Sequence, residues 1–163
     1  MNASNIKLLT QPQQSLGDAY LQFKLDRSST AILLVNFTQE VVVLPLGAIT
    51  SIPNTSELIL GLMNWRNKII WVVDLPKMLG FDSQFSRKRQ YNIIVIRDEA
   101  ETIGLMVPEI KGTVRFDSGN IQSAQNQASH LVPYLDGCIC HEDELSLVLN
   151  VRAILKYSFV REK

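Results

Sequence analysis

Residues Leu58–Leu75 read LILGLMNWRNKIIWVVDL. Two apolar runs flank a polar knuckle, Asn64-Trp65-Arg66-Asn67-Lys68. The second run, Ile69-Ile70-Trp71-Val72-Val73, is β-branched and aromatic and holds no charge, as befits a strand covered on both faces. The stretch predicts a β-hairpin between two layers of structure, with Arg66 exposed at a stiff tip. Trp65 has two readings: half of an exposed Trp–Arg pair of the kind enriched at interface hot spots, or a core residue pointing inward.

Outward from the hairpin the pattern stays that of short strands. Tyr20–Leu25 alternates at period two, Asp26-Arg27-Ser28-Ser29 turns the chain, and Ala31–Val35 returns. Asn36-Phe37-Thr38-Gln39 interrupts the strand pattern, and Glu40–Leu44 resumes it before Pro45 and Gly47. Further strands fit Tyr91–Arg97, Thr102–Val107, Gly112–Phe116, Leu135–Cys140 and Leu145–Leu149. Turn signals about every ten residues imply an all-β barrel or sandwich rather than a βαβ fold. Two short helices punctuate it. Asp74 caps the first, with Pro76 in its opening turn and Gly80 past its end. Asn150 caps the second, which turns Val151, Ile154 and Leu155 inward and Arg152 and Lys156 outward. Met1–Gly17 reads as a polar tail (residues 1–17), Phe81–Gln90 as a surface connection, and residues 18–160 as one domain. No internal repeat stands out.

Composition narrows the function. The chain has 163 residues, 46% hydrophobic and 20% charged, enough for one self-sufficient core burying roughly 70% of the unfolded surface. Lys+Arg and Asp+Glu are both 16, so nothing recommends nucleic acid or an anionic membrane as the main partner. No charge-free apolar run approaches the ~20 residues of a membrane-spanning helix; the uncharged stretch Val41–Ser56 is too short and is broken by Pro45, Gly47 and Pro53, so direct membrane insertion is not expected. No signal-peptide pattern opens the chain, and two cysteines suit a reducing interior; the expectation is a cytoplasmic protein.

Groups that could carry chemistry have plainer readings. Cys138-Ile139-Cys140-His141 lacks the second ligand pair that zinc requires. In a strand its two thiols stand about 6.5–7 Å apart, poor for a disulfide, so both cysteines read as buried and structural. Glu142-Asp143-Glu144 reads as a solvated turn, and Arg87-Lys88-Arg89, near Phe85 and Tyr91, as a solvated loop. His130 has Ser129 beside it and Asp136 six residues on, without triad spacing, and the dispersed glycines form no phosphate cradle. The chain is expected to be no enzyme and to need no cofactor and no metal.

Six segments in order carry a family resemblance: YLQFKLD from Tyr20, TQEV from Thr38, the hairpin ILGLMNWRNKIIWVVDL, IGLMVPEI from Ile103, YLDGCI from Tyr134 and SLVLNVRAIL from Ser146. Together they resemble the CheW-like chemotaxis adaptor (coupling protein) family from about Tyr20 to Tyr157. The hairpin is the specific element. The resemblance implies an all-β fold with two short helices, in which two small SH3-like β-barrel subdomains share a hydrophobic core. It implies a non-enzymatic adaptor coupling a chemoreceptor of the methyl-accepting type to a CheA-type histidine kinase. The implied partners are the kinase regulatory domain and the cytoplasmic tip of the receptor, at arrays on the inner membrane face.

Carried over by position, Glu40 and Arg66 match the family's charged partner-contact sites, Gly61 its hairpin glycine, and Thr38 the site two before the acid. Val42, Asn64 and Ile103–Val107 match apolar or supporting contacts. The chain departs from the family pattern at three positions. Asn67 replaces a glycine, a change that a left-handed turn tolerates. Trp71 replaces a proline, and Pro108 an acid. The NWR…WVVDL form also resembles adaptors of pilus-based phototaxis (type IV pili). The alternative functions are an oligonucleotide-binding small β-barrel and a metal-dependent enzyme using Cys138, Cys140 and His141. Because the family's domain also occurs fused to kinases or receiver domains, the short chain is expected to be the stand-alone form.

Overall fold

A computed structural model describes residues 17–82 and 90–160. The tail reading, the connection before Gln90, and the Arg87-Lys88-Arg89 cluster with Phe85 lie outside the described residues. Ten strands form two five-stranded sheets. The strands are β1 (Asp18–Lys24), β2 (Thr30–Leu34), β3 (Thr38–Pro45), β4 (Ile59–Trp65), β5 (Lys68–Asp74), β6 (Gln90–Asp98), β7 (Glu101–Val107), β8 (Glu109–Phe116), β9 (Leu135–His141) and β10 (Glu144–Leu149). The helices are α1 (Leu75–Met78) and α2 (Val151–Val160). The first sheet runs β8-β1-β2-β10-β9 and the second β3-β6-β7-β5-β4. All neighbours are antiparallel except β2 with β10 and β5 with β7.

This order contains an internal repeat that the sequence did not suggest. Each half of the chain gives a hairpin to one sheet (β1–β2, β6–β7). It then gives a single strand and a second hairpin to the other sheet (β3 with β4–β5, β8 with β9–β10), and it ends in a helix. Each sheet is therefore made of both halves. Irregularities recur with the topology. Gly61 and Gly137 both have positive φ beside a bridge to an incoming loop, Thr50–Leu62 in one half and Gln122–Cys138 in the other. The reason the repeat is silent in the sequence is chemical: corresponding tip residues are Arg66-Asn67 and Glu142-Asp143.

Both helix caps act as the sequence predicts. Asp74 Oδ1 accepts from Lys77 N at 3.2 Å, and Asn150 Oδ1 accepts from Ala153 N at 2.9 Å. The main core lies between the sheets. Leu21, Phe23, Ala31 and Leu33 of the first meet Val73, Ile94, Ile96, Leu105 and Val107 of the second, and Ile154 and Leu155 of α2 close it. A second cluster (Met63, Trp65, Ile70, Val72, Ile93, Val95, Met106) belongs to the second sheet and a third (Tyr20, Ile32, Ile139, Val148) to the first.

The strand β5 corrects one expectation. Val72 and Val73 enter different clusters, as coverage of both faces requires. Ile69, however, is 64% exposed. Its pairing with β7 begins only at Trp71, so Lys68 and Ile69 project past the layer that covers the rest of the run.

Candidate partner-binding site

The tip of the β4–β5 hairpin is a two-residue turn. Arg66 (φ 50°) and Asn67 (φ 64°) are both left-handed, the type I′ geometry whose twist matches the flanking strands. Asn64 Oδ1 accepts from Asn67 N at 3.1 Å, so the exposed Asn64 braces the turn. Thus Asn67 fills the place a glycine takes in the family pattern.

Trp65 points inward. It is only 7% exposed and belongs to the second cluster, so it does not form an exposed hot-spot pair. The Arg66 guanidinium lies 4.9 Å from the Trp65 ring centroid and donates to Glu40 Oε1 at 2.9 Å. Stacking and pairing together aim a side chain that is still 63% exposed.

Glu40 reaches Arg66 because β3 bulges. Thr38 faces Ile96 and Glu40 faces Val95, which leaves Gln39 as the extra residue. A bulge re-aims side chains and bends a strand. Here it brings β3, one edge of the second sheet, to the hairpin at the other edge. Two buried polar atoms flank this place, Thr38 Oγ1 and Trp65 Nε1, neither with a hydrogen-bond partner among the described residues. The sequence-predicted Thr38, Glu40, Asn64 and Arg66 thus lie around one corner.

The remaining predicted residues sit behind it. Val42 is half-buried against the second cluster. Gly61 is buried where β4 shifts register, and a Cβ there would lie 2.1 Å from Thr50 O, so it shapes the strand. Ile103–Val107 are all buried in the central strand β7. That burial suits the supporting half of their reading as apolar or supporting contacts. The residues the sequence reading missed are Val41 and Val43, 37% and 56% exposed on the outer face of β3. Their signal was present, an apolar run on a strand. Which face goes uncovered depends on β3 being an edge.

The groups weighed for chemistry disperse. Cys138 is buried, with its Sγ 3.7 Å from Ser123 O, but Cys140 is exposed, which corrects the expectation of two buried thiols. His141 is exposed and stands edge-on to Phe116, with ring centroids 5.6 Å apart. Among the described residues no group of three or more His, Cys, Asp or Glu is placed to hold a metal ion. Glu144, in the turn read as solvated, keeps 43% of its side chain exposed and also accepts from Thr30 Oγ1 at 2.6 Å and Lys111 Nζ at 3.3 Å. Those two contacts, the hydroxyl first, hold its carboxyl below the usual range. No helix among the described residues is long and apolar enough to cross a membrane.

A braced hairpin tip, an exposed ion pair and the exposed Val41 and Val43 thus belong to one sheet. Comparison with known proteins gives the family. The CheW-like domain pattern matches residues 19–159. The chain is 25% identical over 142 residues to the chemotaxis protein CheW of Thermotoga maritima, covering 87% of this chain and 90% of that one. It superposes on the crystal structure of the scaffolding protein TtCheW from Thermoanaerobacter tengcongensis with a TM-score of 0.73 at 25% identity, covering 82% and 89% of the two chains. The chain belongs to the CheW-like domain family. It is accordingly a non-catalytic adaptor of chemotaxis-type signalling.

Proposed function

We propose that this adaptor links the cytoplasmic tip of a chemoreceptor to the regulatory domain of a CheA-type histidine kinase in the cytoplasm, at arrays on the inner membrane face. The observation that carries the reading is the 2.9 Å Glu40–Arg66 pair on a braced tip beside the exposed Val41 and Val43. Apolar strand surface supplies contact area, while partly exposed charges set register and encounter rate. Thr38, Glu40, Val42, Gly61, Asn64 and Arg66 form or support the contact. Residues 18–160 act as one domain, each sheet curling as a small SH3-like barrel. Edge-to-edge contacts in both sheets, Glu40 with Arg66 and Phe116 with His141, support that curl. The NWR…WVVDL form favours a pilus-based phototaxis output.

The test is a calorimetric titration with the regulatory domain of a CheA-type kinase from the same organism at physiological salt. Saturable one-to-one binding is expected. No binding to any such domain would leave the fold standing and remove the kinase from the partner set.

A further inference from the structure

Two buried side-chain polar atoms lack a hydrogen-bond partner among the described residues, Thr38 Oγ1 and Trp65 Nε1. Both belong to the Glu40–Arg66 corner, Thr38 two residues before Glu40 and Trp65 one before Arg66. Folded proteins pair nearly all such atoms, because an unpaired one forfeits the bonds it made to water.

The fold does not impose them. The other half of the chain has a counterpart to each position. Ile110 precedes the bulged Lys111 of β8 as Thr38 precedes Gln39 of β3. His141 precedes the left-handed Glu142 and Asp143 as Trp65 precedes Arg66 and Asn67. Ile110 has no polar side-chain atom to satisfy, and His141 keeps 63% of its side chain exposed. The corner with the Glu40–Arg66 pair instead holds both polar atoms away from solvent.

What lies over the indole is weakly held. The Arg66 guanidinium sits 4.9 Å from the Trp65 ring centroid, and its Nη2 donates to Glu40 at 2.9 Å. The two side chains are 63% and 38% exposed, so solvent screens the pair and a competing carboxylate displaces Glu40 at little cost. A guanidinium also takes such a carboxylate through two parallel bonds.

We propose that Trp65 Nε1 and Thr38 Oγ1 are specificity groups reserved for a partner that presents a carboxylate to Arg66. As the guanidinium follows that carboxylate off the indole, Trp65 Nε1–H donates to a partner oxygen and the Thr38 hydroxyl gains a partner of its own. A docked surface without an acceptor at this place leaves both groups buried and unpaired, and is rejected. The inference rests on the adaptor reading above and gives Trp65 a part in the contact beyond core packing.

The experiment joins thermal melts of the free protein to the titration with the kinase regulatory domain. Two replacements each remove one polar atom and keep the shape. One is Thr38→Val; the other puts the benzothienyl analogue of tryptophan at position 65, with sulfur in place of the N–H. In the free protein each is expected to hold or raise the melting temperature, since no bond is lost. Each is expected to weaken the titration about fivefold, the effect of one net hydrogen bond. The indole proton of Trp65, told from that of Trp71 by Trp71→Phe, should move downfield when the kinase domain is added.

A fall in melting temperature for either replacement overturns the proposal, because that atom is then bonded in the free protein. A nuclear Overhauser effect from the Trp65 indole proton to water that persists in the complex does the same. Wild-type binding that neither replacement weakens sinks this inference and spares the adaptor reading, whereas absence of wild-type binding removes both.

Discussion

Glu40 and Arg66 lie 26 residues apart and meet at 2.9 Å across the two edges of one sheet. The two charged positions carried over from the family are therefore each other's partner in the unbound protein. Both side chains are substantially exposed, so their mutual stabilisation is about 0.2–1 kcal/mol. A partner that engages either charge must match what the other already offers.

Reversal of Arg66 tests that relationship. Arg66→Glu is expected to lower stability by no more than about 1 kcal/mol, while weakening the kinase-domain titration about tenfold, which is ~1.4 kcal/mol of binding energy. The double variant Glu40→Arg with Arg66→Glu rebuilds the pair in reverse. It should recover the melting temperature and not the affinity. If affinity returns too, the pair serves the fold alone and leaves the binding site.

Gly61 is a backbone requirement. Its φ is 147° and a Cβ would lie 2.1 Å from the Thr50 carbonyl oxygen, a backbone atom that cannot swing aside. Gly61→Ala is expected to cost about 1–3 kcal/mol and to strain the Thr50–Leu62 bridge, whose two hydrogen bonds are 2.8 Å long. Gly47→Ala is the control, since nothing lies within 4 Å of its Cβ direction; it should stay within about 0.5 kcal/mol. Urea midpoints compare the two, and equal shifts would dismiss the clash.

Strand positions, both helix caps and the tip were legible because each rests on local chemistry. Proline, glycine and Asn/Asp mark ends, and the period of two marks strands. The exposure of Ile69, the inward Trp65 and the exposed Cys140 were not, since they depend on which neighbour a strand acquires. The interlocked repeat was hidden for a related reason. Topology constrains backbone and burial, while corresponding surface positions are free to diverge to opposite charge. Within the site, Glu40 and Arg66 were named singly from the resemblance. That they pair follows from the bulge at Gln39.

Asn150 does two jobs at the start of α2. Its Oδ1 caps Ala153 N at 2.9 Å, and its Nδ2 donates to Asp136 Oδ1 at 2.8 Å. The helix then buries Val151, Ile154 and Leu155 in the shared core, so fraying there reaches both sheets. Asn150→Ala should cost about 1 kcal/mol, within the 0.5–2 range of N-cap losses, and Asn150→Asp about half as much or less, because it keeps the cap while placing a second carboxylate beside Asp136. For a domain near this size a loss of 1 kcal/mol lowers the melting temperature by roughly 2–4 °C. Equal melting temperatures for wild type and Asn150→Ala would mean that water replaces the cap without cost.

Glu144 predicts where acid first loosens the fold. The Thr30 hydroxyl, then Lys111, favour its carboxylate and hold the folded pKa below the ordinary value, which is about 4.3 for glutamate. A depressed folded pKa means that the unfolded chain takes up the proton first as pH falls. The stabilisation is complete above about pH 5 and is lost as pH drops through the folded value. Asp26 acts in the same direction. Burial opposes its charge, but the amides and hydroxyls of Ser28 and Ser29 outweigh that and lower its pKa. In thermal melts from about pH 6 to about pH 3, which bracket the ordinary carboxylate values, wild type should fall more steeply than Glu144→Gln. The gap between them should be largest near neutrality and shrink below about pH 4. Parallel curves would show that the Thr30–Glu144 contact does not distinguish the ionised side chain from a neutral one.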